Sequence, residues 1–209
     1  MRLSASTTAI ARVLGSASKR SNTTEPQVSG DTGWSDSLRY TSPSFGGLSF
    51  TAHAALSEAN GEAGGGRNLG FSALYFAGPI AAGFAWQEVK KGAGVGNPDT
   101  TAWQLGGSYD LKPLKLYAQY GSNDNKTLNN TIKVWGLGAD YAIGTGKAMV
   151  QYGQLGPDVG ADQKTLSLGY DHFLSKRTDV YAVAMRDKDE RATSEQTGRS
   201  FAVGIRHRF

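Results

Sequence analysis

The chain has 209 residues, 39% of them hydrophobic, with 28 glycines, 6 prolines and a formal net charge of +4. It contains no cysteine, which excludes a disulfide framework, thiolate metal ligands and a cysteine nucleophile. No stretch approaches the roughly 18 to 20 apolar residues that a transmembrane helix requires. A hydropathy profile rarely detects membrane β-strands, however, because only every second residue of such a strand faces lipid.

The first 33 residues show little periodicity. They are rich in Ser, Thr and Ala, and Ile10, Val13 and Leu14 have the spacing of one weak helical turn. The segment lacks the roughly 7 to 15-residue apolar core of a signal peptide. We therefore predict an irregular or disordered segment over residues 1–33, and we expect no export signal within this sequence.

From about Ser37 onward, apolar and polar residues alternate with a period of two. In a β-strand, the two sets point to opposite faces. The alternation predicts eleven strands, over residues 37–42, 47–57, 67–77, 79–90, 101–110, 113–122, 131–142, 146–154, 163–173, 178–186 and 199–209.

The connections between these predicted strands alternate in length. Short turns are predicted near residues 44–46, 78, 111–112, 144–145 and 174–177. Long polar loops are predicted over residues 58–66, 91–100, 123–130, 155–163 and 187–198. Short turns at one end of the strands and long loops at the other are typical of a transmembrane antiparallel up-and-down β-barrel, whose short turns are periplasmic.

The largest rings lie at the two ends of the apolar faces. On the strand over 101–110, for example, Trp103 and Tyr109 share one face with Leu105, whereas Asp110 lies on the other. The aromatic residues at these ends are Trp86, Trp103, Tyr109, Tyr120, Trp135, Tyr141, Tyr152, Tyr170 and Phe209. Such a double girdle is typical of a lipid-facing barrel wall. A soluble β-sandwich is the alternative, but its core would place the largest rings at mid-strand.

The opposite face of the same strands would line a lumen. Its charged residues are Arg39, Lys115, Lys147, Arg206 and Arg208, together with Asp110, Asp140 and Asp171. Charges of one sign along a low-dielectric passage focus the field and concentrate counter-ions. Each residue taken singly could be a solvated side chain without a role. As a set, with the net charge of +4, they predict a pore that favours anions.

Three motifs, in the expected order, carry a resemblance to a known family. The sequences are SDSLRYTSPSFGGLSF at residues 35–50, LSKRTDVY at 174–181 and VGIRHRF at 203–209. They resemble the R-Y-x-S-P-x-F-x-G hairpin, the late periplasmic turn and the closing strand of general porins from Gram-negative bacteria, particularly the β-proteobacterial branch. The resemblance covers about residues 35–209.

The resemblance implies a sixteen-stranded, homotrimeric, water-filled channel in the outer membrane for small hydrophilic solutes and ions. It implies a third extracellular loop that narrows the pore opposite a basic wall, and recognition of the strand ending at Phe209 by the barrel-assembly machinery. The eleven strands are similar to strands six to sixteen, and residues 1–33 stand in the place of the constriction loop. We therefore expect these 209 residues to form part of a barrel rather than a closed one.

The sequence offers little support for an enzyme. His53, His172 and His207 are the three imidazoles, and their strand positions suggest no Ser/His/Asp or paired-carboxylate arrangement. We predict no enzymatic activity, no cofactor and no metal site. Basic residues are scattered rather than interleaved with aromatics, so nucleic acid is not an expected partner. Two function classes remain open: a passive diffusion channel, or a non-transporting barrel remnant or structural outer-membrane protein.

Overall fold

The computed structural model describes residues 34, 36–56, 67–90, 99–191 and 194–209, and all regular structure in these ranges is β-strand. Within them, no segment forms a helix that is long and apolar enough to cross a bilayer. Eleven strands are present: β1 (Ser37–Thr41), β2 (Leu48–Leu56), β3 (Arg67–Ala77), β4 (Ile80–Val89), β5 (Thr100–Asp110), β6 (Leu114–Asn125), β7 (Asn130–Ile143), β8 (Gly146–Pro157), β9 (Asp162–Phe173), β10 (Thr178–Arg191) and β11 (Ser194–His207).

The eleven strands form one antiparallel sheet in which each strand pairs with its neighbour in sequence, from β1 at one edge to β11 at the other. The predicted number, order and up-and-down arrangement of the strands are confirmed. The tight turns follow from local chemistry. Gly78 and Gly144 adopt positive φ angles of 54° and 57°, which an L-residue with a Cβ rarely tolerates.

Three of the predicted long loops are wrong. Half of residues 123–130 and most of residues 155–163 are strand, so that β6 and β7 are joined by a four-residue turn at 126–129 and β8 and β9 by another at 158–161. β10 and β11 likewise extend into the predicted loop 187–198. Cross-strand polar contacts continue the pairing there; the Thr165 hydroxyl, for instance, donates to Asp187 Oδ1 at 2.6 Å. Most of the predicted loops 58–66 and 91–100, and all of segment 1–33, lie outside the described residues.

The burial of side chains is inverted relative to a soluble protein. Within the described ranges, the buried hydrophobic side chains are Ala55, Val89 and Ile132. Large apolar side chains at mid-strand, such as Leu137, are instead exposed, whereas the buried set includes Asp140 and other carboxylates. A soluble sandwich buries its apolar face between two sheets. This sheet has no second layer in the described part of the chain, and the sandwich alternative is therefore wrong.

Candidate functional site

The register of the sheet aligns the apolar positions of neighbouring strands with one another, and likewise the polar positions. The sheet therefore has two chemically different faces. One row runs through Leu116, Ala139, Val150, Leu168 and Ala184 in directly paired positions. We call this side of the sheet the apolar face, and the side that holds Asp140 and Arg206 the polar face. The register places the girdle residues that lie within strands on the apolar face, and the predicted pore-lining residues that lie within strands on the polar face, whereas Phe209 and Arg208 follow the end of β11.

The girdle residues form two rows on the apolar face. Away from the short turns, Trp86 is paired with Trp103, whose ring centroid lies 5.5 Å from that of Tyr120. Trp135 continues the row with its ring centroid 5.4 Å from that of Tyr152. Near the short turns lie the other four girdle residues, Tyr109, Tyr141, Tyr170 and Phe209. Aliphatic residues such as Leu105 lie between the two rows.

Seven of the predicted pore-lining residues lie together near the short turns, where carboxylates and cations alternate from β5 to β9. Asp110 is paired with Lys115, and Lys115 with Asp140. Lys147 is paired with Asp171. We call this band the charged belt; its members are Asp110, Lys115, Asp140, Lys147, Asp171, Asp179, Arg206 and Arg208. Four cations oppose four carboxylates in it.

The first part of the charged belt centres on Asp140, which is buried. The Tyr117 hydroxyl donates a short hydrogen bond of 2.5 Å to Asp140 Oδ2, and Lys147 Nζ lies 3.8 Å from the same oxygen. Lys115 Nζ lies 5.2 Å from the Tyr117 ring centroid, which is a cation–π distance. The phenol therefore links a carboxylate and a lysine that belong to different strands.

The second part of the charged belt centres on Asp179, the side chain of which is only 2% accessible. Arg206 Nε donates to Asp179 Oδ1 at 3.0 Å, and Arg206 Nη2 donates to the other oxygen. The same Nη2 lies 3.3 Å from Asp171 Oδ2, and Arg208 Nη2 lies 3.9 Å from Asp179 Oδ1. This bidentate geometry is the strongest form of an arginine–carboxylate contact.

Tyr117 and Asp179 are not among the predicted pore-lining residues, although both are central to the charged belt. The sequence pattern could have indicated both residues, because each occupies a polar-face position of the alternation in a predicted strand. Asp187 and Asp189 share that parity on β10 and were placed in a loop instead. The extended strand therefore adds carboxylates to the polar face that the sequence analysis left out.

Arg39 is the one predicted pore-lining residue that the structure does not bring into the charged belt. It lies on β1, at the opposite edge of the sheet from β11, directly paired with His53. The His53 ring packs against Trp34, with 4.6 Å between the ring centroids and an angle of 31° between the ring planes. Arg39 is exposed and forms no ion pair within the described part of the chain.

A model of the Gram-negative porin family matches residues 3–192. The chain belongs to the Gram-negative porin family. The match starts well before residue 35, where the resemblance of the motifs begins. The family and its curated relatives place this porin in the outer membrane, and its eleven strands correspond to part of a porin barrel wall.

Two curated relatives and one solved structure show how far this similarity extends. The porin is 26% identical to an outer membrane porin protein of Bordetella pertussis, covering 82% of this chain and 57% of that protein. It is 31% identical to outer membrane porin protein 32 of Delftia acidovorans, covering 82% of this chain and 56% of that protein. The anion-selective porin from Comamonas acidovorans superimposes with a TM-score of 0.66 at 25% identity, covering 83% of this chain and 59% of that chain. The porin thus spans less than three fifths of each of these relatives.

Proposed function

We propose that this porin contributes to a water-filled channel through which ions and small hydrophilic solutes diffuse passively. The observation that carries the proposal is the inverted sheet, in which exposed aromatic and aliphatic side chains cover one face and charged residues cover the other. In lipid, such a wall turns its apolar face outward and encloses water with its polar face. Conductance steps in a planar bilayer distinguish this channel from a non-transporting barrel.

Within this channel, the charged belt and Arg39 line the lumen but have different effects on ions. The belt is balanced, since its four cations stand among four carboxylates and Lys147, Arg206 and Arg208 each contact one of them, so its field cancels over distances of about a Debye length, roughly 8 to 10 Å. Arg39 has no such partner within the described residues. We therefore assign the preference for anions to Arg39, and similarity to a porin named as anion-selective supports the direction.

Charge reversal at Arg39 tests this assignment. Arg39→Glu is expected to shift the zero-current potential towards cations, and more strongly at 0.01 M than at 0.1 M salt, because the screening length grows from about 10 to about 30 Å. Arg67→Glu is the matched control, since Arg67 is also exposed but lies on the apolar face of β3. Equal shifts in both variants would contradict the assignment of Arg39 to the lumen.

The other partners follow from the same proposal and from the family resemblance. The girdle residues contact outer-membrane lipid, and the complete protein assembles as a homotrimer. The barrel-assembly machinery recognises the strand that ends at Phe209. The charged belt works by electrostatics and binds no cofactor, and enzymatic activity is not expected. Chemical cross-linking in intact outer membranes tests the trimer, because a ladder that stops at three copies is the expected result.

A further inference from the structure

Two arginines interrupt the aromatic row on the apolar face. The row formed by Trp103, Tyr120 and Trp135 reaches Tyr152 on β8, and the register then leads from Tyr152 to Leu166 on β9. Leu166 is paired with Arg186 on β10, and Arg186 is paired with Arg199 on β11. Both arginines are exposed. The aromatic row itself steps two residues towards the short turns between β5 and β6 and between β7 and β8, since Trp103 is paired with Ser122 and Trp135 with Gln154. The two arginines therefore stand at or just beyond the level of the sheet where the aromatic row marks the lipid headgroups.

Like charges in directly paired positions of a sheet repel and destabilise it unless something lies between them. Neither Arg186 nor Arg199 has a carboxylate partner among the residues that the structure describes. The lysines beyond the apolar band on this face do have one: Lys90 and Lys126 contact Glu88, Lys133 contacts Asp158, Lys164 contacts Glu190, and Lys188 contacts Glu190 and Glu195. The two guanidinium groups are thus an uncompensated pair beside a neutralised surface.

A shallow groove runs along β10 from this pair towards the short turns. Its floor consists of the small side chains of Ala184 and Ala182. Its walls are larger side chains in paired positions, namely Leu168 and Tyr170 on β9 and Phe201 and Val203 on β11. Because neighbouring strands lie about 4.8 Å apart, the backbones of the two strands that carry the walls are separated by roughly 10 Å, part of which the wall side chains occupy. That width admits one hydrocarbon chain.

We propose that Arg186 and Arg199 bind the phosphate of a phosphorylated lipid in the leaflet nearer the turns at 126–129 and 158–161, with one acyl chain of that lipid in the groove over Ala184 and Ala182. A phosphate offers several anionic oxygens, and the planar guanidinium donates two parallel hydrogen bonds to such a group. One phosphate between the two arginines removes their mutual repulsion. The positive charge of the two arginines matches the phosphate headgroup of such a lipid, and the apolar groove beside them matches its acyl chain.

Lipid binding is tested with the protein extracted from outer membranes in detergent, by native mass spectrometry with added lipids. Dioleoyl phosphatidic acid supplies a phosphomonoester headgroup, dioleoyl phosphatidylcholine carries the same chains with a zwitterionic headgroup, and inorganic phosphate carries no chain. Saturable binding is expected for phosphatidic acid, and weaker binding for the other two. Equal binding of inorganic phosphate would overturn the proposal, because the groove would then contribute nothing.

Two variants separate the charge of the pair from the shape of the groove. The R186Q/R199Q double variant is expected to bind phosphatidic acid at least about tenfold more weakly, since the loss of one charge-assisted hydrogen bond lowers affinity by about that factor. Ala184→Phe fills the groove without changing charge, and at least threefold weaker binding is expected. K90Q/K126Q removes two cations from the same face at ion-paired sites, and binding within about twofold of the unaltered protein is expected.

Only protein with the heat-modifiable gel mobility of a folded barrel enters the comparison. Unchanged binding in R186Q/R199Q, or equal losses in R186Q/R199Q and K90Q/K126Q, would overturn the proposal. A change in oligomeric state on native gels with no change in lipid binding would instead assign the pair to contacts between copies. Conductance is expected to stay unchanged in all of these variants, because their sites lie on the apolar face. The outcome is therefore independent of the proposed channel.

Discussion

Val150→Arg is expected to prevent assembly of most of the protein. Val150 lies at the centre of β8 on the apolar face, paired with Ala139 and Leu168, and is 43% exposed. Arginine at the midplane of a lipid-facing barrel wall costs about 2 to 4 kcal/mol. Since folded proteins are stable by only about 5 to 15 kcal/mol, this loss is large. The measurement is the fraction of protein that shows heat-modifiable gel mobility after extraction from membranes.

Gln151→Arg is the matched control for this variant. Gln151 is the next residue of β8 and lies on the polar face, paired with Gly138 and Ser167. Arginine at this position faces water, and assembly close to that of the unaltered protein is expected. If the two variants lose assembly equally, the assignment of the two faces to lipid and water is wrong, and with it the proposed channel.

Asp179→Ala is expected to cause the largest loss of stability of any change in the charged belt. Its carboxylate is almost completely buried and receives two hydrogen bonds from Arg206. Removing one partner of a buried pair leaves the other charge uncompensated, which typically costs about 3 to 5 kcal/mol. We expect a value near the lower limit, about 3 kcal/mol, because Asp171 still contacts Arg206. The midpoint of thermal loss of the heat-modifiable form measures the effect.

Two comparisons show whether the effect comes from the Asp179–Arg206 pair. Asp158→Ala removes a carboxylate from an exposed contact with Lys133 at 3.8 Å, and a change of about 1 kcal/mol or less is expected. The double variant Asp179→Ala/Arg206→Ala is expected to be less destabilised than the sum of the two single variants. Additive losses would show that the two side chains do not act as a unit.

The local alternation of residue types was sufficient to predict the strands and their two faces. Because side chains of a strand point to opposite sides in turn, the sequence around Trp103, Leu105 and Tyr109 already separates an apolar from a polar face. The register of the sheet then places the predicted girdle and pore-lining residues on the faces that the parity indicated. The strand ends were harder to predict, since residues 123–125 and Asn130 look like loop by composition and pair as strand.

The pairing of charges could not be read from the sequence. Arg206 and Asp171 are 35 residues apart, and their contact depends on the register of β10 with both β9 and β11. The same register brings Arg186 opposite Arg199 without a carboxylate between them, although each looks like an ordinary surface residue in its own strand. Parity is a property of one strand and is visible locally. Whether a charge is neutralised depends on residues of other strands that folding brings next to it. The pairing of charges can therefore be established only from the assembled sheet.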